Sequence, residues 1–450
     1  MKTMTPHINR IRHLVPLLLI LVVPILTLAL LAATAPGPHE LDTALRFPMG
    51  DLAGNAASGA AVRKNDPLAI EAAFPLESYR PGSIAVLRYW ATLPDVTLQV
   101  FRVGPERQRT AGKMEMRGVA VTRPRHLERI AAGSFTRIPV GNWPTGLYFA
   151  RLTAAGGRIG YAPFVVPPQR PGQSRVAVVM PTRTWQAYNF RDDDRDGYGD
   201  TWYATAGHTT ARLGRPYLNR GVPPHFRQYD LYFLHWAYRT GKQVDVLSQA
   251  ELDAVRDPAG LRRAYDLLVF PGHHEYVTAG EYDAVEGFRD RGGSLAFLSA
   301  NNFFWRIDLR GNVMTRVAQW RDLGRPESAL LGVQYIGNDE GEHRGAWIVR
   351  PSAASRTLFA GTGSATGERF SNAGIEIDHT TSHSPKGTQV MAEIPNLLGP
   401  GMTAQMTFYE TRNGARVFSA GAFTLAGSVR QRPVAQLLEN VWAETLGKQV

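Results

Sequence analysis

The spacing of apolar and polar positions changes character twice along this chain, and the changes mark its parts. Residues 14–35, LVPLLLILVVPILTLALLAATA, carry no charge and follow Lys2, Arg10 and Arg12. A positive segment followed by an apolar one implies export or membrane anchoring. The run is long enough to reach across a bilayer, where about 20 residues suffice. Ala33-Thr34-Ala35 offers a small-residue cleavage site, with Pro36 directly behind it. Residues 1–36 therefore read as a signal peptide or a membrane anchor. The Gly-, Ala- and Pro-rich residues 37–66 read as a flexible tether.

Residues 67–168 show short runs of β type at 84–90, 96–103, 135–140, 147–152 and 161–166. Arg80-Pro81-Gly82, Pro144-Thr145-Gly146 and Gly156-Gly157 separate them as turns. This spacing predicts a β-sandwich. Pro167, Pro168 and Pro171 form a stiff linker. Across 172–450 the rhythm becomes strand and helix in alternation. Strands are expected at 175–180, 244–247, 267–270, 294–298 and 416–419, and helices at 229–239, 250–256, 279–291 and 433–446. Such alternation predicts right-handed crossovers. The expected class is α/β: a β-sandwich, then a Rossmann-like or amidotransferase-like domain with a mainly parallel sheet. Residues 306–412, with Gly-rich turns and short strands, read as an inserted or edge region.

Three of the expected strands end in polar loops. PTRTWQAYN follows the first and carries Tyr188 and Asn189; PGHHEY follows the third and carries His273, His274, Glu275 and Tyr276. SANNFFW follows the fourth and carries Asn301, Asn302 and Trp305. In open α/β sheets, ligands bind beyond the carboxyl ends of the strands. Adjacent strands lie about 4.8 Å apart, so the three loops can line one pocket. Trp185, Phe303 and Trp305 also suit an ordinary core, but polar clustering at three strand ends does not follow from packing.

Composition narrows the chemistry. The 450 residues contain no cysteine, which removes disulfides and thiol nucleophiles together. The net charge of +11 is spread along the chain without a basic run interleaved with aromatics. Nucleic acid is therefore not an expected partner. No G-x-S-x-G elbow, P-loop or G-x-G-x-x-G fingerprint is present. His379 and His383 stand four apart, but HTTSH lacks the glutamate of a zinc helix. Carboxylate, phenol and imidazole without thiolate favour a hard cation such as ferric iron. Asp192, Asp194, Asp196 and Asp200 also reproduce the start of a calcium loop, although Tyr203 stands where its bidentate glutamate belongs.

TWQAYN, RPY (215–217), GHHEY, ANNFFW and GIEID (374–378) occur in the order seen in the large-subunit family of N,N-dimethylformamidase, which the chain resembles. SYRPG, FRVG, WPTGLY and APFVV extend the resemblance through the sandwich. It implies an iron(III) amidohydrolase whose metal is held by two tyrosines and a glutamate. Glu275 matches the glutamate and Tyr188 the first tyrosine. Tyr203 matches the second, with Tyr217 as the rival, because FRDDDRDGYGDTWY replaces a Gly-Gly-rich stretch of the relatives. His273 would be an acid/base beside the metal, Asn301 would orient the amide or an oxyanion, and Glu376 would be the general base. A small partner subunit is implied too.

The expectation is thus an Fe(III)-dependent hydrolase of small amides, extracytoplasmic and either membrane-anchored or secreted. Calcium is a candidate second ion, and a homo-oligomer or a small partner subunit a candidate assembly. The competing reading is a non-catalytic envelope module that binds a glycan or a partner around a structural metal.

Overall fold

The structure, a computed structural model, describes residues 65–204, 208–339 and 341–447. The apolar segment at 14–35 lies outside the described residues. No helix among the described residues is long and apolar enough to cross a membrane.

Two antiparallel sheets make the sandwich. One joins Ala72–Ala73, Ile84–Tyr89 and Phe135–Pro139; the other is built on Leu93–Arg102, Gly146–Ala154 and Arg158–Val166. Period-two patterning explains the core between them. Ala85, Leu87 and Tyr89 point inward from one sheet and meet Val96, Leu98, Val100 and Phe164 from the other. The Arg125–Ile130 strand was not expected. Its sequence, RHLERI, buries only Ile130, so apolar periodicity carries no signal for it.

The second part is built on one large sheet. Asp245–Ser248, Val176–Met180, Leu267–Phe270, Ser294–Phe297 and Arg416–Ser419 lie side by side and pair in parallel. These strands are buried on both faces, which calls for unbroken apolar runs such as VAVVM. Val176, Val178 and Met180 enter one core, and Ala177 and Val179 the other. The first core also takes Phe101, Leu147, Phe149 and Val165 from the sandwich, so the two parts share apolar packing.

The remaining strands correct the sequence expectation. Ala404–Glu410, Gln389–Ile394, Arg344–Val349, Arg369–His379 and Gln334–Asn338 continue the sheet in antiparallel pairing. The architecture is mixed α/β: in the large sheet parallel pairing is confined to five strands, so it is not a mainly parallel sheet. Parallel neighbours need crossovers of a dozen residues or more, whereas tight turns join antiparallel ones. The helices in this region, Glu327–Leu331 and Ala353–Leu358, are short. His379 ends a strand, so it and His383 form no helical pair.

One topological detail places the site. The chain's second parallel strand, Asp245–Ser248, lies on one side of Val176–Met180, and its third, Leu267–Phe270, on the other. The direction of the winding reverses between Val176–Met180 and Leu267–Phe270. Reversals of this kind open a crevice beyond the strand ends.

Candidate active site

Pro181 ends the Val176–Met180 strand, and the short helix Thr182–Ala187 follows with all six side chains buried. Arg183 fixes it in place. Its guanidinium, 1% exposed, ion-pairs with Glu281 at 2.5 Å, Asp253 at 2.9 Å and Glu77 at 3.3 Å. Tyr188 caps this helix.

The GHHEY loop begins at Gly272, where a Cβ would collide with the Asp230 carboxyl. Backbone pairing then joins it to the next loop: Phe303 N donates to His274 O at 2.7 Å and Trp305 N to Glu275 O at 2.9 Å. Asn302 Oδ1 accepts from His274 N at 3.1 Å. Asn301 adopts φ +50°, a left-handed conformation that asparagine tolerates better than most residues. Its backbone N donates to Asp378 Oδ1 at 2.9 Å.

Glu376 arrives from the antiparallel half of the sheet. Ile375 before it has φ +69°, and pairing between Arg369–His379 and Ala422–Phe423 shifts register there. Positive φ in a β-branched residue is an outlier of the kind found where a bulge re-aims a side chain. Glu376 Oε2 lies 3.4 Å from His273 Nε2, which is also 3.4 Å from Glu275 Oε2. Neither His273 Nε2 nor Glu376 Oε2 has a hydrogen-bond partner.

Tyr188 Oη donates to Glu275 Oε2 at 2.7 Å. Tyr203 Oη lies 2.9 Å from Tyr188 Oη and 3.2 Å from each Glu275 oxygen. The two phenol rings stack at 4.7 Å. Tyr276, which the PGHHEY motif placed at the strand end without an assigned role, brings its hydroxyl against that of Tyr203 and accepts from Trp202 Nε1 at 3.0 Å. Its position directly after Glu275 was the available signal.

Electrostatics show what this cluster lacks. Burial pushes the Tyr188 and Tyr203 phenols well above their ordinary range, and the Glu275 charge adds to the effect. Tyr276 rises for the same reasons. Burial raises Glu275 against the hydrogen bonds of the three tyrosines, and burial with the Glu275 charge raises Glu376. His273 is held well below its usual value, mainly by burial. Arg316 favours the charged form of Glu275, but its guanidinium is stacked over Trp305 at 4.5 Å. Every group in the cluster is therefore driven toward its neutral form, and negative charge there needs a cation of its own. An all-oxygen donor set of two phenols and a carboxylate fits a hard, highly charged ion.

Tyr188, Tyr203, Glu275, His273, Asn301 and Glu376 are thus neighbours, whereas Tyr217 is not among them. Tyr217 lines a separate pocket with Gln186, Arg215 and Phe74 at the sandwich. In the acidic loop, Asp192, Asp194 and Asp200 bring oxygens within 4.8 Å of one another. Asp196 stands outside that group and accepts instead from Tyr198 N at 2.8 Å. A narrow pocket opens beside the tyrosine cluster, lined by Trp185, Tyr188, Tyr229, His273, Glu376 and Phe423 among others.

The family model for the C-terminal region of N,N-dimethylformamidase beta subunit-like proteins matches residues 132–436, more than half of the chain. The chain belongs to that family. Among its relatives, the N,N-dimethylformamidase beta subunit of Paracoccus aminophilus is 22% identical over 293 residues, covering 55% of this chain and 37% of the relative. The N,N-dimethylformamidase beta subunit of an Alcaligenes species is 26% identical over 121 residues, covering 27% of this chain and 13% of the relative. The matches thus span well under half of either N,N-dimethylformamidase subunit. Among solved structures, a cycloisomaltooligosaccharide glucanotransferase from Paenibacillus aligns over 81% of this chain and 69% of its own, with 7% identity and a TM-score of 0.18, too low to bear on fold or function.

Proposed function

We propose that this chain is a metal-dependent hydrolase of the C–N bond of small amides. The observation that carries the proposal is the convergence of Tyr188, Tyr203 and Glu275 at one buried point, beside His273 and Glu376. Those three residues would hold iron(III), and iron there would draw charge from an amide carbonyl oxygen.

The chain's own residues supply the rest. Glu376, driven toward its neutral form by burial, is a stronger base than an exposed carboxylate once ionised, suited to taking a proton from water. His273, neutral and in van der Waals reach of both carboxyls, can pass that proton to the departing nitrogen. The Asn301 side chain favours the charged form of Glu376 against its burial. Tyr188 and Phe423 wall the pocket and exclude bulk water from the reacting carbonyl.

The relatives are named as subunits, which supports a partner subunit here as well. Purified protein provides the test. Iron at one per chain, a visible tyrosinate-to-iron(III) band and release of amine from formamide or acetamide derivatives are expected. Colourless, iron-free protein from iron-replete cells would favour the non-catalytic module instead.

A further inference from the structure

The pocket beside the tyrosine cluster contains more unsatisfied polar atoms than water activation requires. His273 Nε2 and Glu376 Oε2 have roles in the proposed reaction, but Tyr229 Oη and Asp230 Oδ1 do not. Tyr229 is 7% exposed and Asp230 1%, both line this pocket, and neither atom has a hydrogen-bond partner. Native proteins seldom leave such atoms unpaired, so each asks for an explanation.

Both residues lie on the π-helical turn Arg227–Leu231, which leads into the helix Tyr232–Arg239. Wide turns of this type recur at functional sites. Asp230 receives a single donor, Trp185 Nε1, on Oδ2 at 3.2 Å. Aromatic rings surround the pair. Tyr229 stacks on His225 at 5.1 Å and packs against Phe423 at 5.0 Å, and Trp185 also lines the pocket. No lysine or arginine is among the lining residues, whereas two carboxyl groups are.

Aromatic faces with a carboxyl between them suit a cation. We infer that the substrate is an amide bearing a protonated amine away from the scissile bond, seated against Trp185, Tyr229 and Phe423 and paired with Asp230. The inference rests on the hydrolase proposal above and names its substrate class. Burial raises Asp230 to about 8, so a neutral ligand meets an uncharged carboxyl. An ammonium placed at Oδ1 favours the carboxylate and supplies the missing donor. An amide without such a group leaves Asp230 unpaired, a loss that sites built for hydrogen bonding use to reject substrates.

The test compares N-(3-aminopropyl)acetamide with its uncharged isostere N-butylacetamide, in binding by calorimetry and in turnover, on the full-length chain as purified. The charged amide should bind roughly tenfold or more tightly than the isostere. Asp230→Asn should bring the two level, and Tyr229→Phe should narrow the gap, both with metal content unchanged. Equal binding of the two amides by the unmodified chain overturns the inference, as does a preference that survives Asp230→Asn. Preferential binding of the ammonium compound without hydrolysis of either amide would retain the cation pocket and sink the hydrolase proposal. Hydrolysis of both at equal efficiency would do the reverse.

Discussion

Tyr188 and Glu275, 87 positions apart in the chain, meet at 2.7 Å across the point where the parallel strands reverse order. Neither loop could build the cluster alone, so the fold itself assembles the oxygen donors.

On the proposed assignment, removal of either donor releases the metal. Tyr188→Phe and Glu275→Ala are each expected to lower iron affinity by more than the roughly 10- to 100-fold typical of supporting residues. Mass spectrometry of the purified variants and the visible spectrum measure it. Full iron occupancy in Glu275→Ala would rule out the assignment.

His273 should behave differently, because its Nε2 stands 3.4 Å from both carboxyls and outside the phenol cluster. His273→Ala is expected to keep its iron while kcat falls by about 10²- to 10⁴-fold, the range of a positioned acid or base. Parallel loss of metal and activity would reassign it to metal binding.

Arg183 makes a stability prediction. One buried guanidinium serves Glu281, Asp253 and Glu77. Arg183→Met leaves these carboxyls without their cation, and breaking buried pairs costs about 3–5 kcal/mol. Urea unfolding of the variant should show a loss of that order, and a loss under about 1 kcal/mol would contradict the buried network.

Asp230 makes a pH prediction for metal-free, ligand-free protein. Burial holds its carboxyl at about 8 in the folded chain, above the unfolded value of 3.8. Between these limits folding takes up a proton, so stability is full at the acid end and declines as pH rises through about 8. The slope from this group is about 1.4 kcal/mol per pH unit. Denaturation midpoints from pH 5 to 8 should fall less steeply in Asp230→Asn; identical slopes would show that Asp230 is ionised throughout.

Much of the site was legible because it sits in short motifs at strand ends. GHHEY and TWQAYN declare themselves locally, and the resemblance of GIEID singled out Glu376. The choice between Tyr203 and Tyr217 could not be made from spacing. It depends on how FRDDDRDGYGDTWY folds back, which long-range packing decides. Asp230 was hidden inside an apolar helical run, YDLYFLHW, where a lone acid also fits an exposed face. The antiparallel half of the sheet escaped because short strands between glycine turns reveal no pairing direction. Helical periodicity between 229 and 239 was correct, but no sequence rule marked its opening turn as π.

The Glu77 carboxylate reaches out of the sandwich to the same arginine that pins the Tyr188 helix. A fragment begun after the proline linker would therefore be a poor substitute for the intact protein. It would forfeit a counter-charge next to the segment that carries Tyr188 and strip the apolar cover that Phe101, Leu147 and Phe149 give the sheet. What looks like an accessory module is a buttress, and damage to it should surface first as a loosened tyrosine cluster.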